Sequence, residues 1–168
     1  NQLEWEYGPF DIPENIKSEW DAKETGSKIN SEWDALMDEY ASNHPVLFDE
    51  LKRLINNELP NDFEKNYEDF LEGLATFDKK DMATRKASEV CLNFFCEQLP
   101  ELIGGSADLT GSNNTFSSVS SELLPDNPKG NHIFYGVREF GMTAIMNGML
   151  LHGGIKPYVG PFLVFMDY

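Results

Sequence analysis

Residues 130–168, GNHIFYGVREFGMTAIMNGMLLHGGIKPYVGPFLVFMDY, are the least acidic and most apolar part of this 168-residue chain. Glycines punctuate short apolar runs, so the stretch reads as a strand (NHIFYGV), a turn, a helix (EFGMTAIMNGMLLHG), a turn and a further extended run (IKPYVGPFLVFM). Upstream, LIGGSADL at 102–109 reads as a short buried strand running into a glycine turn. The order strand, loop, strand, helix, strand predicts an α/β fold with a parallel sheet. One carboxylate, Glu139, stands at the start of the helix, and three aromatics, Phe162, Phe165 and Tyr168, follow it. A lone acid beside ring-shaped side chains suits an aromatic, nitrogen-bearing ligand better than it suits a plain core.

Outward from this stretch, residues 110–131 (TGSNNTFSSVSSELLPDNPKGN) are rich in Ser and Asn and predict a loop lying over the surface. Residues 82–100 predict an amphipathic helix with Ala83, Ala87, Val90, Cys91, Phe94 and Phe95 facing in, ended by Pro100. Further upstream the chain reads as helices with solvated acidic faces. A short one spans 14–26 and ends near Gly26. Another opens at a capping box formed by Ser31 and Asp34. A third starts at Pro45, with Val46, Leu47, Leu51, Leu54 and Ile55 on one stripe. A fourth is capped by Asp62, with Phe63, Tyr67, Phe70, Leu71 and Leu74 inward. Residues 1–13, broken by Pro9 and Pro13, read as an extended connector in which Trp5, Tyr7 and Phe10 supply anchors.

The formal net charge is −16, which argues against nucleic acid or an anionic membrane as a partner. The charge is uneven: residues 1–81 hold 21 acids and 8 bases, residues 82–168 only 8 and 5. That shift near Asp81 predicts a boundary between a helical connector (1–81) and a sheet-forming part (82–168). Two cysteines, Cys91 and Cys96, sit five residues apart on one helix and point to different faces, which argues against a disulfide and fits a reducing cytoplasm. No apolar run reaches the roughly 20 residues needed to cross a bilayer.

Each candidate residue has an ordinary reading beside its functional one. Glu139 is a first-turn carboxylate of the kind a helix N-terminus favours; its apolar flanks, however, call for pairing, protonation or a hydrogen bond to a ligand. Arg85 stands at a helix start, where a cation opposes the dipole. It is suited to bidentate phosphate binding, or to an ion pair with Glu89 one turn on. Ser112 offers a hydroxyl and backbone N–H groups to such a phosphate, or is a plain turn serine. Asp108 falls at a strand end, where α/β folds place ligands, or acts as a cap. Phe162, Phe165 and Tyr168 are equally readable as core. His132 and His152 show no partner at ligand or triad spacing and read as structural.

Taken together, ATRKASE (83–89), LIGGSADLTGSN (102–113), YGVREFGMTAI (135–145) and HGGIKPYVGPFLVFMDY (152–168) resemble the motifs of transketolases in order and spacing. LEWEYGPFDIP (3–13) resembles the segment leading out of that family's first domain, while 14–80 is the least specific part. The resemblance implies an internal piece, about a quarter of a full-length member: the tail of the diphosphate-binding domain, interdomain helices and the first part of the pyrimidine-binding domain. It implies thiamine diphosphate as cofactor, with Mg²⁺ ligands outside this segment. It also implies sugar phosphates as substrates and a homodimer with the active site between subunits. By resemblance Glu139 takes the role of the glutamate that hydrogen-bonds the cofactor's aminopyrimidine ring and so promotes deprotonation of its thiazolium carbon. Phe162, Phe165 and Tyr168 match the aromatic pocket around that ring, Asp108 and Leu109 a stretch lining the cofactor cleft, and Arg85 and Ser112 the pair that binds the sugar-phosphate tail. The activity implied is transfer of a two-carbon ketol unit between sugar phosphates, as in the pentose phosphate pathway, with the piece alone inactive. A non-catalytic interaction module, or one subunit of a split thiamine enzyme, is the alternative, and a deoxyxylulose phosphate synthase a third.

Overall fold

The computed structural model describes residues 5–76 and 81–165; Tyr168 lies outside the described residues. The chain divides into two units, Asn1–Asp49 and Glu50–Tyr168.

In the first unit, helix α1 (Glu14–Trp20) is followed after a two-residue break by α2 (Lys23–Asn43). The expected stop at Gly26 and the capping box at Ser31 are both overturned: α2 runs through them, and the Ser31 hydroxyl bonds back to Ser27 O (3.0 Å) inside the helix. A single glycine costs a helix only about 1 kcal/mol, and a 21-residue helix absorbs it. Trp5 and Tyr7 meet edge to face, with ring centroids 5.2 Å apart, whereas Phe10 is fully exposed at a positive φ of 65°.

Helix α3 (Pro45–Ile55) begins at Pro45 as expected, since proline's fixed φ and missing N–H suit a first helical position. Its expected stripe is narrower than predicted: Leu51 and Leu54 are half-buried, but Val46, Leu47 and Ile55 are exposed. Helix α4 (Phe63–Ala75) follows Asp62, and α5 spans Thr84–Gln98. These two meet through rings: Phe70 stacks on Phe94 at 4.3 Å, and Phe63 and Tyr67 lie within 6.4 Å of both Phe94 and Phe95. Tyr67 and Leu71 stay largely exposed, as do Ala83 and Ala87 of the expected α5 core; residues 83–88 stand clear at the exposed start of that helix, and Cys96 at its far end is the buried residue. Both cysteines are free thiols.

Three strands, β1 (Leu102–Ser106), β2 (His132–Phe134) and β3 (Lys156–Val159), form a parallel sheet in the order β2-β1-β3. This is the α/β architecture the apolar runs predict. The strand β1 runs between both neighbours, and glycine is required there: a Cβ on Gly104 would strike Tyr158 and one on Gly105 the carbonyl of Ile133. Helix α7 (Glu139–His152) carries the chain from β2 across β1 to β3 and buries Met142 completely, against Ala107, Tyr135, Ile133 and Val159. The start of the sheet is tied to α3 by charge. The buried Glu101 carboxylate receives both Arg53 Nη1 (3.0 Å) and Nη2 (2.9 Å), and Arg53 also holds Glu50 at 2.6 Å. Hydrogen bonds to Glu50 and then Glu101 push the Arg53 pKa up, so the guanidinium stays charged although mostly buried. Among the described residues no helix is long and apolar enough to cross a membrane.

Candidate active site

All three strands deliver their outgoing segments to one edge of the sheet, the carboxyl end, where open α/β folds bind ligands. β1 runs into Ala107, Asp108 and Leu109. β2 runs into Tyr135, Gly136, Val137 and then Glu139, and β3 into Gly160, Pro161, Phe162 and a 3-10 turn, Leu163–Phe165. Two local features turn the chain sharply here. Asp108 takes a left-handed backbone (φ 62°), tolerated by aspartate but uncommon for a side-chain-bearing residue. Gly136 (φ 67°) supplies the second reversal, and a Cβ there would press on Arg138 Nη1 at 2.5 Å, the group that donates to Tyr135 O (2.8 Å).

Ala107, Asp108, Leu109, Val137, Glu139 and Phe165 line one cavity of about 280 Å³. Glu139 stands in the first turn of α7, partly buried, so its carboxylate meets the positive end of the helix. The cavity therefore offers two acids, Asp108 and Glu139, one aromatic ring and aliphatic walls, with no lysine or arginine among its lining residues. That donor set fits a flat, uncharged, nitrogen-bearing ring that accepts a hydrogen bond from a carboxyl group or donates one to it.

Ala83, Thr84, Arg85, Ser88, Asn113, Thr115, Gly160, Pro161, Phe162 and Leu163 line a second cavity of about 440 Å³. Phe162 thus belongs to this cavity and Phe165 to the first, though one short segment carries both. Arg85 does not pair with Glu89, which Lys86 takes at 2.6 Å; instead Arg85 Nη1 donates to Ser112 O at 3.3 Å. The structure therefore brings Arg85 and Ser112 together across 27 residues. Ser112 and Asn113 lie in a single helical turn, α6 (Thr110–Asn113), and their N–H groups donate to Leu109 O (2.8 and 2.9 Å). The backbone donors expected from Ser112 are thereby used up, and its hydroxyl is the group it presents.

The sequence reading missed the floor of this site. Asn113, Thr115 and Ser117 were expected on a surface loop but are buried, at 7%, 6% and 2% exposure. Their polarity pointed to solvent, yet each is internally hydrogen-bonded, which removes the cost of burial. His132 is wholly buried too, between the Phe116 and Phe134 rings, with Nε2 3.3 Å from Thr110 Oγ1 and Nδ1 3.5 Å from the Tyr158 hydroxyl. Burial lowers the His132 pKa and raises those of Tyr158 and Tyr135. The buried Tyr135 hydroxyl has no hydrogen-bond partner among the described residues. A polar run flanked by glycine and aromatics is the only signal that pointed to any of this.

A parallel sheet whose carboxyl edge faces two adjoining cavities, one lined by acids and Phe165 and the other by Phe162 and Arg85 of α5, defines the chain as an α/β domain with clefts of ligand size. Residues 80–168 match the family model described as "Transketolase, pyrimidine binding domain", and residues 1–60 match "Transketolase, thiamine diphosphate binding domain"; the chain belongs to the transketolase family. It is 49% identical over 167 residues to transketolase 1 of Aliivibrio fischeri, covering 99% of this chain and 25% of that protein. It is 46% identical to transketolase 2 of Escherichia coli, again over 99% of this chain and 25% of the relative. Among solved structures, the Pichia stipitis transketolase complex with sedoheptulose-7-phosphate superposes with a TM-score of 0.82 at 35% identity, over 96% of this chain and 24% of that one. The Leishmania mexicana transketolase gives 0.81 at 32% identity, over 96% and 23%. The chain spans about a quarter of the length of the curated relatives it matches.

Proposed function

We propose that these residues form part of the active centre of an enzyme that moves a two-carbon ketol unit from a ketose phosphate to an aldose phosphate with thiamine diphosphate. The observation that carries this reading is the pairing of an acid-and-aromatic cavity with an arginine-lined one at one sheet edge. Family membership and the sugar phosphate named in the Pichia stipitis complex support it.

In this reading the first cavity takes the aminopyrimidine ring. Thiamine diphosphate, when bound, supplies the carbanion chemistry that no protein side chain provides. Glu139 shares a proton with a ring nitrogen, and the first turn of α7 fixes where its carboxyl group sits. Phe165 with Ala107, Leu109 and Val137 excludes water and packs on the ring, and Asp108 turns the chain around the cleft; Tyr168 is assigned to the same aromatic wall from the family resemblance alone. In the second cavity Arg85, joined by the Ser112 hydroxyl, binds the phosphate tail, with Phe162 beside it. The chain spans about a quarter of the length of its relatives, and from the family resemblance we assign Mg²⁺ and the diphosphate to portions of the enzyme beyond this chain. The remaining assignments are a boundary between connector and pyrimidine-binding part at 81/82, a homodimer sharing the site between subunits, and a place in the pentose phosphate pathway of the cytoplasm.

The test is Arg85→Ala in the full-length enzyme. KM for phosphorylated ketoses should rise on the order of tenfold or more, as expected for loss of a charge-assisted contact, while KM for an unphosphorylated ketose barely moves. An equal effect on both removes the phosphate role.

A further inference from the structure

We infer that Asn113 is a positioning residue that locks the phosphate-tail wall and the aromatic wall of the site into one register. The inference rests on the site reading above and concerns a residue that lines the second cavity and has been given no function there so far.

Asn113 is 7% exposed and every arm of its amide is engaged. Nδ2 donates to Ser106 Oγ (2.9 Å) and to Gly160 O, while Oδ1 accepts from Thr115 Oγ1 (2.9 Å). Ser106 Oγ in turn donates to the same Gly160 carbonyl (2.8 Å). Three segments distant in sequence thus meet at one side chain: the end of β1, the turn α6, and the start of the segment that carries Phe162 and Phe165. The chain just after α6 also touches the start of the segment after β3, because a Cβ on Gly160 would strike Thr115 Cγ2.

Such a lock is needed. A four-residue turn cannot hold itself in place, since helical hydrogen bonds stabilise a helix only over several turns. Yet α6 carries Ser112, and its carbonyl sets the position of Arg85 Nη1. Without Asn113, Ser112 and Phe162 would each drift independently of the sheet, and the phosphate-tail cavity would lose its shape. The chemistry also selects the amide. Gly160 O can only accept, so an aspartate of the same size would set oxygen against oxygen there, and the Ser106 hydroxyl would meet that carboxylate as a donor only by giving up its own bond to Gly160 O.

The experiment compares Asn113→Asp, Thr115→Val and Thr115→Ser with Arg85→Ala in the full-length holoenzyme, measuring kcat and KM for a phosphorylated and an unphosphorylated ketose donor. Asn113→Asp should raise KM for the phosphorylated donor on the order of tenfold, with kcat at saturation within about twofold and the unphosphorylated donor little affected. Thr115→Val removes only the hydroxyl that Asn113 Oδ1 accepts from, and should show the same selectivity more weakly; Thr115→Ser, which keeps that hydroxyl, should recover most of the loss. The Thr115 pair decides the matter whether or not the aspartate variant folds, because a carboxylate at 113, in the lining of the arginine cavity, also repels a phosphate directly. If Arg85→Ala discriminates between the donors but the Asn113 and Thr115 variants lower both equally, the lock is overturned and the site reading survives. If Arg85→Ala itself fails to discriminate, both fall.

Discussion

The helical half and the sheet half of this chain follow opposite economies of burial. Helices α1 to α4 contain no fully buried residue, and in the first unit Trp20, Ile29, Trp33 and Leu36 are between 55% and 84% exposed. Around the sheet, Met142, His132 and Ser106 are wholly buried, and polar residues sit inside with their hydrogen bonds made. The difference teaches where position matters. A solvated helix tolerates drift in any one side chain; a carboxyl-edge site built from three loops does not, because each loop is fixed by groups buried beneath it.

The comparison can be broken in several ways. The largest effect belongs to Glu139→Ala, which should lower turnover of the full-length enzyme by about 10²–10⁴-fold, the range for losing a proton-transfer group, while the melting curve stays close to wild type. Normal turnover would remove Glu139 from the chemistry. Next comes Arg53→Ala, which leaves the Glu101 carboxylate, 2% exposed, with only the long contact to Lys156 Nζ at 4.0 Å. Equilibrium unfolding should show a loss of about 3–5 kcal/mol, and a loss below 1 kcal/mol would mean water reaches Glu101.

A matched pair sharpens the contrast directly. Met142→Ala should cost about 2–5 kcal/mol in denaturant titration, whereas Trp33→Ala on the exposed face of α2 should stay within roughly 0.5 kcal/mol. Equal costs would show that α2 is covered as thoroughly as the sheet. The smallest effect is a pH dependence. His132 is held neutral by burial, with its pKa below the usual 6.5, so the unfolded chain binds the proton more readily. The stability that this neutral imidazole retains is therefore complete above about pH 6.5 and falls as the pH drops toward its lowered folded-state pKa, at up to about 1.4 kcal/mol per pH unit. Melting His132→Gln beside the wild type from pH 7.5 to 5 should show a flatter profile in the variant; parallel profiles would assign the slope to other groups.

Much of the sheet half was legible because strand signals there are local. Short apolar runs bounded by Gly153-Gly154 and by Pro100 left little choice but strands and one crossover helix, and the start of that helix placed Glu139 at its N-terminus. The helical half misled at Gly26 and Ser31, where local stop and start signals were outweighed by the propensity of a long helix. Residues 110–131 misled for a different reason. Polarity predicts exposure only where water is the best partner available; Asn113 and Thr115 find better partners in each other and in the ends of β1 and β3, and Ser117 finds one in Ser120.

The sequence by itself determined the α/β class, the parallel strands and the family, because these follow from periodicity, glycine placement and long motifs read within single segments. Only the tertiary structure decided that Arg85 meets Ser112 rather than Glu89, that Phe162 and Phe165 serve separate cavities, and that a loop asparagine underlies both walls. Those outcomes depend on how α5, α6 and the segment after β3 pack around the end of β1, and contacts between segments distant in sequence are set by packing, not by local pattern.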